Sequence, residues 1–333
     1  MRRVLPAIGA AYDRYLFASC SPGTCVVLRI VFGIAMTVYA LVWWADGEFW
    51  FSDAGVMQAE TARQITGGRQ WSPLFSIPAS PALVRGCLAV MSVNAVLMTA
   101  GVFSRWQAAM LFFWMVSFQH RNPLILDGED TVFRLFAFYL MWMPMDARLS
   151  LWRALRGAPA VPLRATQPLA WPIRLMQLQM CFLYLSAAWS KWQGAAWRDG
   201  SALFYVIQMG DLFGRGWWPA SVLESEALIR TGTWSVVVVE AALPLLLLLP
   251  RTRKAGVFLG IALHLMMEYS MHLFLFQWVM IIGLLSFLDF DRWVFVPAAD
   301  RSCDGGQPVA GRPEPPRDSG RTRPSPDQPL TAG

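Results

Sequence analysis

The sequence is poor in charged residues. Asp, Glu, Lys and Arg make up 15% of its 333 residues, whereas 56% are hydrophobic. Soluble domains contain about 25% charged residues. A chain with so little polar surface cannot coat a soluble globule, so long apolar segments must absorb the excess.

Cysteine and lysine are also scarce. The cysteines are scattered, odd in number and without metal-type spacing, which predicts neither a disulfide framework nor a metal site. They are Cys20, Cys25, Cys87, Cys181 and Cys303. Of the 28 basic residues only Lys191 and Lys254 are lysines, so the role of each lysine is easy to test by substitution.

The net charge is +6, a sign that would suit a nucleic-acid partner. The basic residues lie between apolar runs and in the C-terminal segment, however, and no known nucleic-acid-binding module is present. Basic residues in such positions orient a membrane protein. We therefore expect the lipid bilayer, and no nucleic acid, as a partner.

The apolar runs predict an all-α fold: a polytopic helical membrane protein with about eight transmembrane helices and no sizeable soluble domain. The predicted spans are 24–44, 82–102, 106–120, 131–145, 172–192, 233–249, 255–271 and 273–289. The third and fourth are shorter than the ~20 residues of a normal span, and a re-entrant pair is the alternative. One helix over 255–289 would be ~50 Å long, so we expect a turn near Glu268 to His272.

Charge distribution predicts the orientation. With a cytoplasmic N-terminus, the inner connections carry eleven basic residues and the outer connections six. The positive-inside rule then predicts a multi-pass protein of the cell membrane with both termini cytoplasmic. The chain divides into a cytoplasmic N-terminal segment at 1–23, a transmembrane domain at 24–292, and a Pro- and Arg-rich tail at 293–333 that is expected to be disordered.

Four arginines lie inside predicted spans, close to their ends. A charge at mid-bilayer costs several kcal/mol, so each is either functional or reaches the headgroups by snorkelling. They are Arg29, Arg85, Arg134 and Arg174. Arg134 follows Glu129 and Asp130 closely, and we expect it to pair with one of these acids.

His264, Glu268 and His272 are spaced four residues apart. On one helix this spacing places them along a single stripe. The stripe could border a polar reaction cavity in which Glu268 orients a histidine base, or it could be a hydrogen-bond network that fixes helix packing. A metal site is a weaker alternative, because the usual zinc-protease signature is absent.

Lys191 ends the fifth predicted span between two tryptophans, Trp189 and Trp192. A partly desolvated lysine can act as a general base or a nucleophile. The alternative is an interfacial lysine whose ammonium group snorkels outward.

The segment 120–130, HRNPLILDGED, joins the third and fourth predicted spans on the outer side. Its Pro and Gly residues predict a turn. A connector between two short apolar runs does not need so many polar groups, so we predict that it lines a site. The polar residues concerned include His120, Arg121, Asn122, Glu129 and Asp130.

Four stretches together resemble the HTTM family, the horizontally transferred transmembrane domain that is shared with vitamin K-dependent γ-glutamyl carboxylase. They occur in the order seen in the family and extend over about residues 20–292. They are RIVFGIAMTVYAL, RNPLILDGEDTVFRLFAFYLMWMPMDARLSL, QMCFLYLSAAWSKWQGAAWRDGSALFYVI and LPRTRKAGVFLGIALHLMMEYSMHLFLFQWVMIIGLLSFLD.

The resemblance implies a membrane enzyme that uses a reduced quinone-like lipid. In the carboxylase, a lysine after the corresponding helix is taken as the base that deprotonates reduced vitamin K, and Lys191 occupies the matching position. A family histidine in the 120–130 segment has no single counterpart here, and Glu129 or Asp130 stands nearest to it. With His264, these residues form the implied catalytic set; the predicted substrate-lining residues are His120, Arg121, Asn122, Arg134, Glu268 and His272.

Two other functions fit the sequence. Some bacterial members of the family resemble membrane proteins encoded with sporulation-delaying peptide toxins, which implies a non-redox role in peptide maturation or partner binding. In that case the outer loops should matter more than Lys191. A transporter would need discontinuous helices and ion sites near mid-bilayer, but most charges here lie near the helix ends.

Overall fold

The computed structural model of the protein describes residue 13 and residues 15–159, 170–210 and 214–294. These ranges form α-helices and short 3₁₀ turns and contain no strand. The all-α prediction is therefore confirmed for them. The N-terminal segment 1–23 and the tail 293–333 were predicted to lie outside the helical domain. Most of their residues are not among those described.

Eight helices of ten or more residues lie within the described ranges. In chain order, α1 to α8 are Pro22–Phe51, Pro81–Ala100, Ser104–Arg121, Gly128–Leu140, Trp171–Gln193, Glu226–Leu248, Arg253–Ser270 and Phe276–Leu285. The shorter α-helices are Ala59–Ile65, Leu151–Leu155, Ala195–Asp199, Ala202–Gln208, Ala220–Leu223 and Asp291–Val294. Two 3₁₀ turns cover Pro73–Phe75 and Pro123–Ile125.

Local sequence explains where α1 and α2 begin. Each begins at a Ser-Pro pair. The serine side chain caps the helix, and the proline is its first residue. The Ser21 hydroxyl accepts a hydrogen bond from the backbone N–H of Thr24 at 3.1 Å. The Ser80 hydroxyl accepts one from Leu83 at 3.3 Å. Proline costs nothing here because the first N–H groups of a helix have no internal partner.

Each predicted span overlaps one of the eight helices, in the same order. The boundaries differ most where polar residues continue a helix: α1 runs on to Phe51 and α6 begins at Glu226. Parts of 45–81 and 193–232, the segments between predicted spans, are therefore helical. By length and composition, α1, α2 and α6 are long and apolar enough to cross a membrane, within the ranges searched. The number of eight crossings stays a prediction.

The chain turns between α7 and α8. Helix α7 ends at Ser270 and α8 starts at Phe276, so the polar group around Glu268 to His272 does mark a helix end. Phe274 in the turn has φ 39°, a left-handed conformation that is uncommon for a side chain of this size. The alternative of one continuous helix is excluded.

Two groups of helices pack against each other. Helix α1 contacts α2 along much of its length, and α3 and α4 complete this group, whereas α6 packs between α5 and α7. Helix α8 contacts α1, α4, α5 and α7. It therefore joins the groups, and its first turn lies where both can contribute side chains.

Helices α1 and α2 approach closely at Gly33. A Cβ atom at this position would lie 2.9 Å from the backbone nitrogen of Thr99 and 2.3 Å from its Oγ1. Small residues permit such contacts between membrane helices. The absence of a side chain at Gly33 thus determines the distance between the two helices.

We expect Gly33→Ala to lower the free energy of unfolding by about 1–3 kcal/mol, since backbone atoms must move to admit the methyl group. Unfolding in mixed micelles with increasing SDS would measure it. Gly86→Ala is the matched control within α2, because no atom beyond the neighbouring backbone of its own helix lies within 4 Å of its Cβ position. An equal loss in both variants would contradict this account of the contact.

Candidate functional site

A cavity of about 850 Å³ lies among α5, α6, α7 and the start of α8. Most of its lining is apolar, with side chains such as Leu183, Val236, Leu263 and Met280. The polar groups on its wall are few. They include Tyr184, Lys191, Thr233, Glu240, His264 and Gln277. An apolar cavity with a few placed polar groups is typical of small-molecule sites.

Lys191 and Glu240 form an ion pair on the cavity wall. The Lys191 Nζ lies 2.8 Å from both carboxylate oxygens of Glu240. The Glu240 side chain is 6% exposed and that of Lys191 is 21% exposed. The ammonium nitrogen also lies 5.4 Å from the centre of the Trp197 ring, within cation–π distance. The lysine is therefore held inward, and snorkelling does not describe it.

The helix carrying Glu240 contains a proline one turn later. Pro244 lies inside α6 and has no N–H with which to bond the carbonyl oxygen of Glu240. The proline therefore weakens the helix beside the carboxylate, at the point where α6 borders the cavity.

A hydrogen-bonded chain forms a second polar group on the wall. The Tyr184 hydroxyl lies 2.8 Å from Nε2 of His264, and Nδ1 of His264 lies 2.6 Å from Oε1 of Gln277. All three residues are buried. The amide oxygen can only accept, so with this amide orientation Nδ1 carries the proton and Nε2 accepts from the tyrosine.

The two predicted acids at the start of α4 have other partners. Asp130 and Asp127 form a capping box at the helix N-terminus, and Asp130 also accepts a hydrogen bond from the Tyr39 hydroxyl. Glu129 accepts a hydrogen bond from the backbone N–H of Leu275 at 3.0 Å. Both acids are buried outside the cavity wall, and they attach α4 to α1 and to the α7–α8 turn.

The two ends of the predicted site-lining segment 120–130 belong to α-helices. His120 and Arg121 end α3, and Gly128 begins α4, so the connector is only 122–127. Asp127 caps α4 and thereby starts this helix three residues before the predicted span.

Three polar side chains near this connector attach the segment 50–71 to it. Arg121 is fully buried and donates to the carbonyl of Met57 at 2.7 Å and to Asp53 at 2.8 Å. Asn122 donates to the carbonyl of Trp50 at 2.9 Å. Nδ1 of His120 lies 2.6 Å from the carbonyl of Trp71. These contacts are structural.

His272 does not continue the predicted stripe on α7, because the helix ends at Ser270; the prediction of three residues on one helix face is wrong. Glu268 instead pairs with Arg215, which also donates to Nδ1 of His272 at 3.0 Å. His264 lines the cavity and bonds to Tyr184.

For the arginines, one prediction is wrong and one of two alternatives is excluded. Within α4, Arg134 does not lie within 4.0 Å of the carboxylate of Glu129 or Asp130, so the expected ion pair is absent there. Arg29 does not snorkel. It is fully buried and donates to the backbone carbonyls of Met145 at 2.9 Å and Leu149 at 2.6 Å.

The structure thus brings two of the predicted site residues, Lys191 and His264, to one cavity. The other eight do not line it: His120, Arg121, Asn122, Glu129, Asp130, Arg134, Glu268 and His272. Within the described ranges, no group of three or more His, Cys, Asp or Glu residues could hold a metal ion.

Sequence reasoning missed Glu240, Tyr184 and Gln277. Glu240 had a signal, since it is the one acid in the apolar run TWSVVVVEAALPLLLLL and an acid in such a run is functional by default. Tyr184 and Gln277 had none, because both are ordinary residues of apolar helices whose partners are distant in sequence.

The helices and their largely apolar cavity define a helical membrane protein. The family model of the HTTM domain matches the sequence over residues 17–293, which is most of the chain. The chain therefore belongs to the HTTM family, a family of membrane domains. Comparison with curated proteins and with solved structures gives no match.

Proposed function

We propose that this HTTM protein is a membrane enzyme that acts on a reduced quinone-like lipid, with the Lys191–Glu240 pair as its proton acceptor. The observation that supports this is a buried ion pair on the wall of a large apolar cavity. A charged pair costs free energy in such surroundings and is often functional. The position of Lys191 also matches the lysine of the resembling carboxylase.

The residues present fit such a ligand. The cavity, about 850 Å³, lies in the 300–1,000 Å³ range of small-molecule sites. Its apolar walls suit the ring and tail of a lipid. The ion pair and the Tyr184–His264–Gln277 chain supply donors and acceptors for its oxygen atoms.

A reduced quinone supplies phenolic hydroxyl groups and electrons for reaction with oxygen. The protein supplies the proton acceptor. Glu240 holds the Lys191 ammonium group, and the pair has no net charge. The ammonium proton passes to the Glu240 carboxylate, and the Lys191 amine that results accepts the hydroxyl proton. The pair then carries one positive charge, which lies beside the oxygen anion that forms. Attraction between these charges is strong in an apolar cavity, which favours the transfer.

The proposed setting is the cell membrane, with both termini cytoplasmic. Gly128, Lys191 and the α7–α8 turn all border the cavity, so they share one end of the bundle. The charge distribution assigns this end to the outer side. A lipid from the bilayer could reach a cavity placed near the helix ends.

Purified protein in lipid, supplied with reduced naphthoquinone and oxygen, tests the proposal. We expect mass spectrometry to detect the quinone epoxide, with water as the second product, for the wild type and for Lys254→Ala. Lys191→Ala should reduce the rate at least 100-fold, in the range attributed to general acid–base catalysis. Lys191→Arg should also be inactive, since arginine keeps the charge but does not exchange the proton.

Two results would contradict the enzyme proposal. The first is no epoxide from folded wild type, and the second is equal activity in wild type and Lys191→Ala. Either would favour the alternative of peptide maturation or partner binding, in which the outer segments carry the function.

A further inference from the structure

The cavity wall contains a buried amide group with an unused donor. Gln277 is fully buried in the first turn of α8. Its Nε2 has no hydrogen-bond partner within the part of the chain that the structure describes. A buried amide nitrogen without a partner costs about 1–3 kcal/mol. Such a group needs an explanation, and a ligand is one.

The hydrogen-bonded chain keeps this donor free. Oε1 of Gln277 accepts from Nδ1 of His264, whose Nε2 accepts from the Tyr184 hydroxyl. If the amide were reversed, its nitrogen would donate to Nδ1 of His264. The proton of His264 would then be on its Nε2, which would donate to the Tyr184 oxygen, and the Tyr184 hydroxyl hydrogen would lose its acceptor. Tyr184 is 1% exposed, so that loss would also be costly. The observed orientation leaves only the amide nitrogen without a partner.

We propose that Gln277 Nε2 donates a hydrogen bond to a ring-bound oxygen of the ligand in the cavity, which is a hydroxyl oxygen in a reduced quinone and a carbonyl oxygen in an oxidised one. His264 and Tyr184 are positioning residues, because they hold the amide without contacting this oxygen. The inference rests on the proposed function for the identity of the ligand as a quinone-like lipid. It adds a second point of recognition, distinct from the Lys191–Glu240 pair.

The probes are 2-methyl-1,4-naphthoquinone and 2-methylnaphthalene, which has a similar ring system but no carbonyl groups. Their dissociation constants are measured by titration of the purified protein in detergent. We expect Gln277→Leu to weaken quinone binding about tenfold, the effect of one lost hydrogen bond to a buried donor. It should leave 2-methylnaphthalene binding unchanged.

Gln177→Leu is the matched control. Gln177 is also a buried glutamine, but its Nε2 donates to the carbonyl of Ser286 at 2.7 Å, and it does not line the cavity. This variant should bind both probes as the wild type does. Equal quinone affinity in Gln277→Leu and the wild type would overturn the inference.

Infrared spectra of the bound quinone provide a test that needs only folded wild type. A hydrogen bond from Gln277 should lower the stretching frequency of one carbonyl relative to the other, and ¹³C labelling of each carbonyl identifies which. Bound quinone with two unshifted carbonyls would overturn the inference even if Gln277→Leu fails to fold.

The outcome is separable from that of the enzyme proposal. A lowered carbonyl frequency without epoxide formation would support the amide donor and contradict the chemistry assigned to Lys191. Epoxide formation with unshifted carbonyls would do the reverse. No binding of the quinone to wild type would contradict both.

Discussion

Replacing Glu240 by leucine should lower the free energy of unfolding by about 3 kcal/mol. The substitution leaves the Lys191 ammonium group, only 21% exposed, without its partner in an apolar wall. Removing one member of a buried ion pair typically costs 3–5 kcal/mol, and the partial exposure of Lys191 places this case near the lower end. Lys191→Met should cost a similar amount, since it leaves the more deeply buried carboxylate unpaired.

The double variant Lys191→Met/Glu240→Leu should recover most of this loss. Two apolar side chains of similar volume often replace a buried ion pair with little change in stability. Unfolding of the four proteins of this double-mutant cycle in SDS-containing micelles gives the interaction energy. The double variant should be folded and form no epoxide, which separates the structural role of the pair from its chemical role.

An exposed ion pair on the same helix serves as the control. Glu226 and Arg230 lie four residues apart on α6 with side chains 75% and 51% exposed, and such pairs contribute at most about 1 kcal/mol. Glu226→Gln should therefore have a small effect. Additive losses in the double variant would show that Lys191 and Glu240 do not depend on each other. Epoxide formation by the double variant would contradict their role as proton acceptor.

Arg29→Met should be the most destabilising substitution among the arginines near helix ends, with an expected loss of about 3–5 kcal/mol. Its guanidinium group donates to the carbonyls of Met145, Arg148 and Leu149 at 2.6–3.2 Å, and Asp146 lies 3.6 Å away. Hydrogen bonds to charged groups contribute about 1.5–3 kcal/mol each, and neighbouring bonds are not additive. The variant would remove this donor from three carbonyls of the α4–α5 connection, of which that of Met145 is buried.

The same substitution at Arg85 is the control for Arg29→Met. The Arg85 side chain is 60% exposed and pairs with Glu48, so Arg85→Met should change stability by less than about 1 kcal/mol. Melting temperatures in one detergent would compare the two variants. Similar melting temperatures would show that Arg29 is not the donor that holds the 145–149 segment. A loss of stability confined to Arg29→Met would confirm that Arg29 is this donor.

Much of the helical framework could be predicted because its causes are local. Each apolar run overlaps one of the eight helices, and the polar group at Glu268 to His272 lies where α7 ends. The helix boundaries were less predictable, because a helix can continue through polar residues. Its first and last residues depend on capping contacts. Asp127 shows this, since its side chain determines the start of α4.

The candidate site was predicted only in part. Lys191 and His264 were singled out as ionisable groups in apolar surroundings, and both line the cavity. The same reasoning selected Glu129, Asp130 and Arg121, whose side chains instead cap a helix or attach loops to it. A polar residue in an apolar run must have a partner, but composition does not distinguish a structural partner from a ligand.

The sequence by itself determined the helical class, the approximate positions of the helices and the membrane setting of the family, because these depend on composition and local pattern. Only the tertiary structure decided which polar groups meet. Glu240 is 49 residues from Lys191, and His264 is 80 residues from Tyr184. Their pairing follows from how α5, α6 and α7 pack, because burial requires each polar group to find its partner on a neighbouring helix.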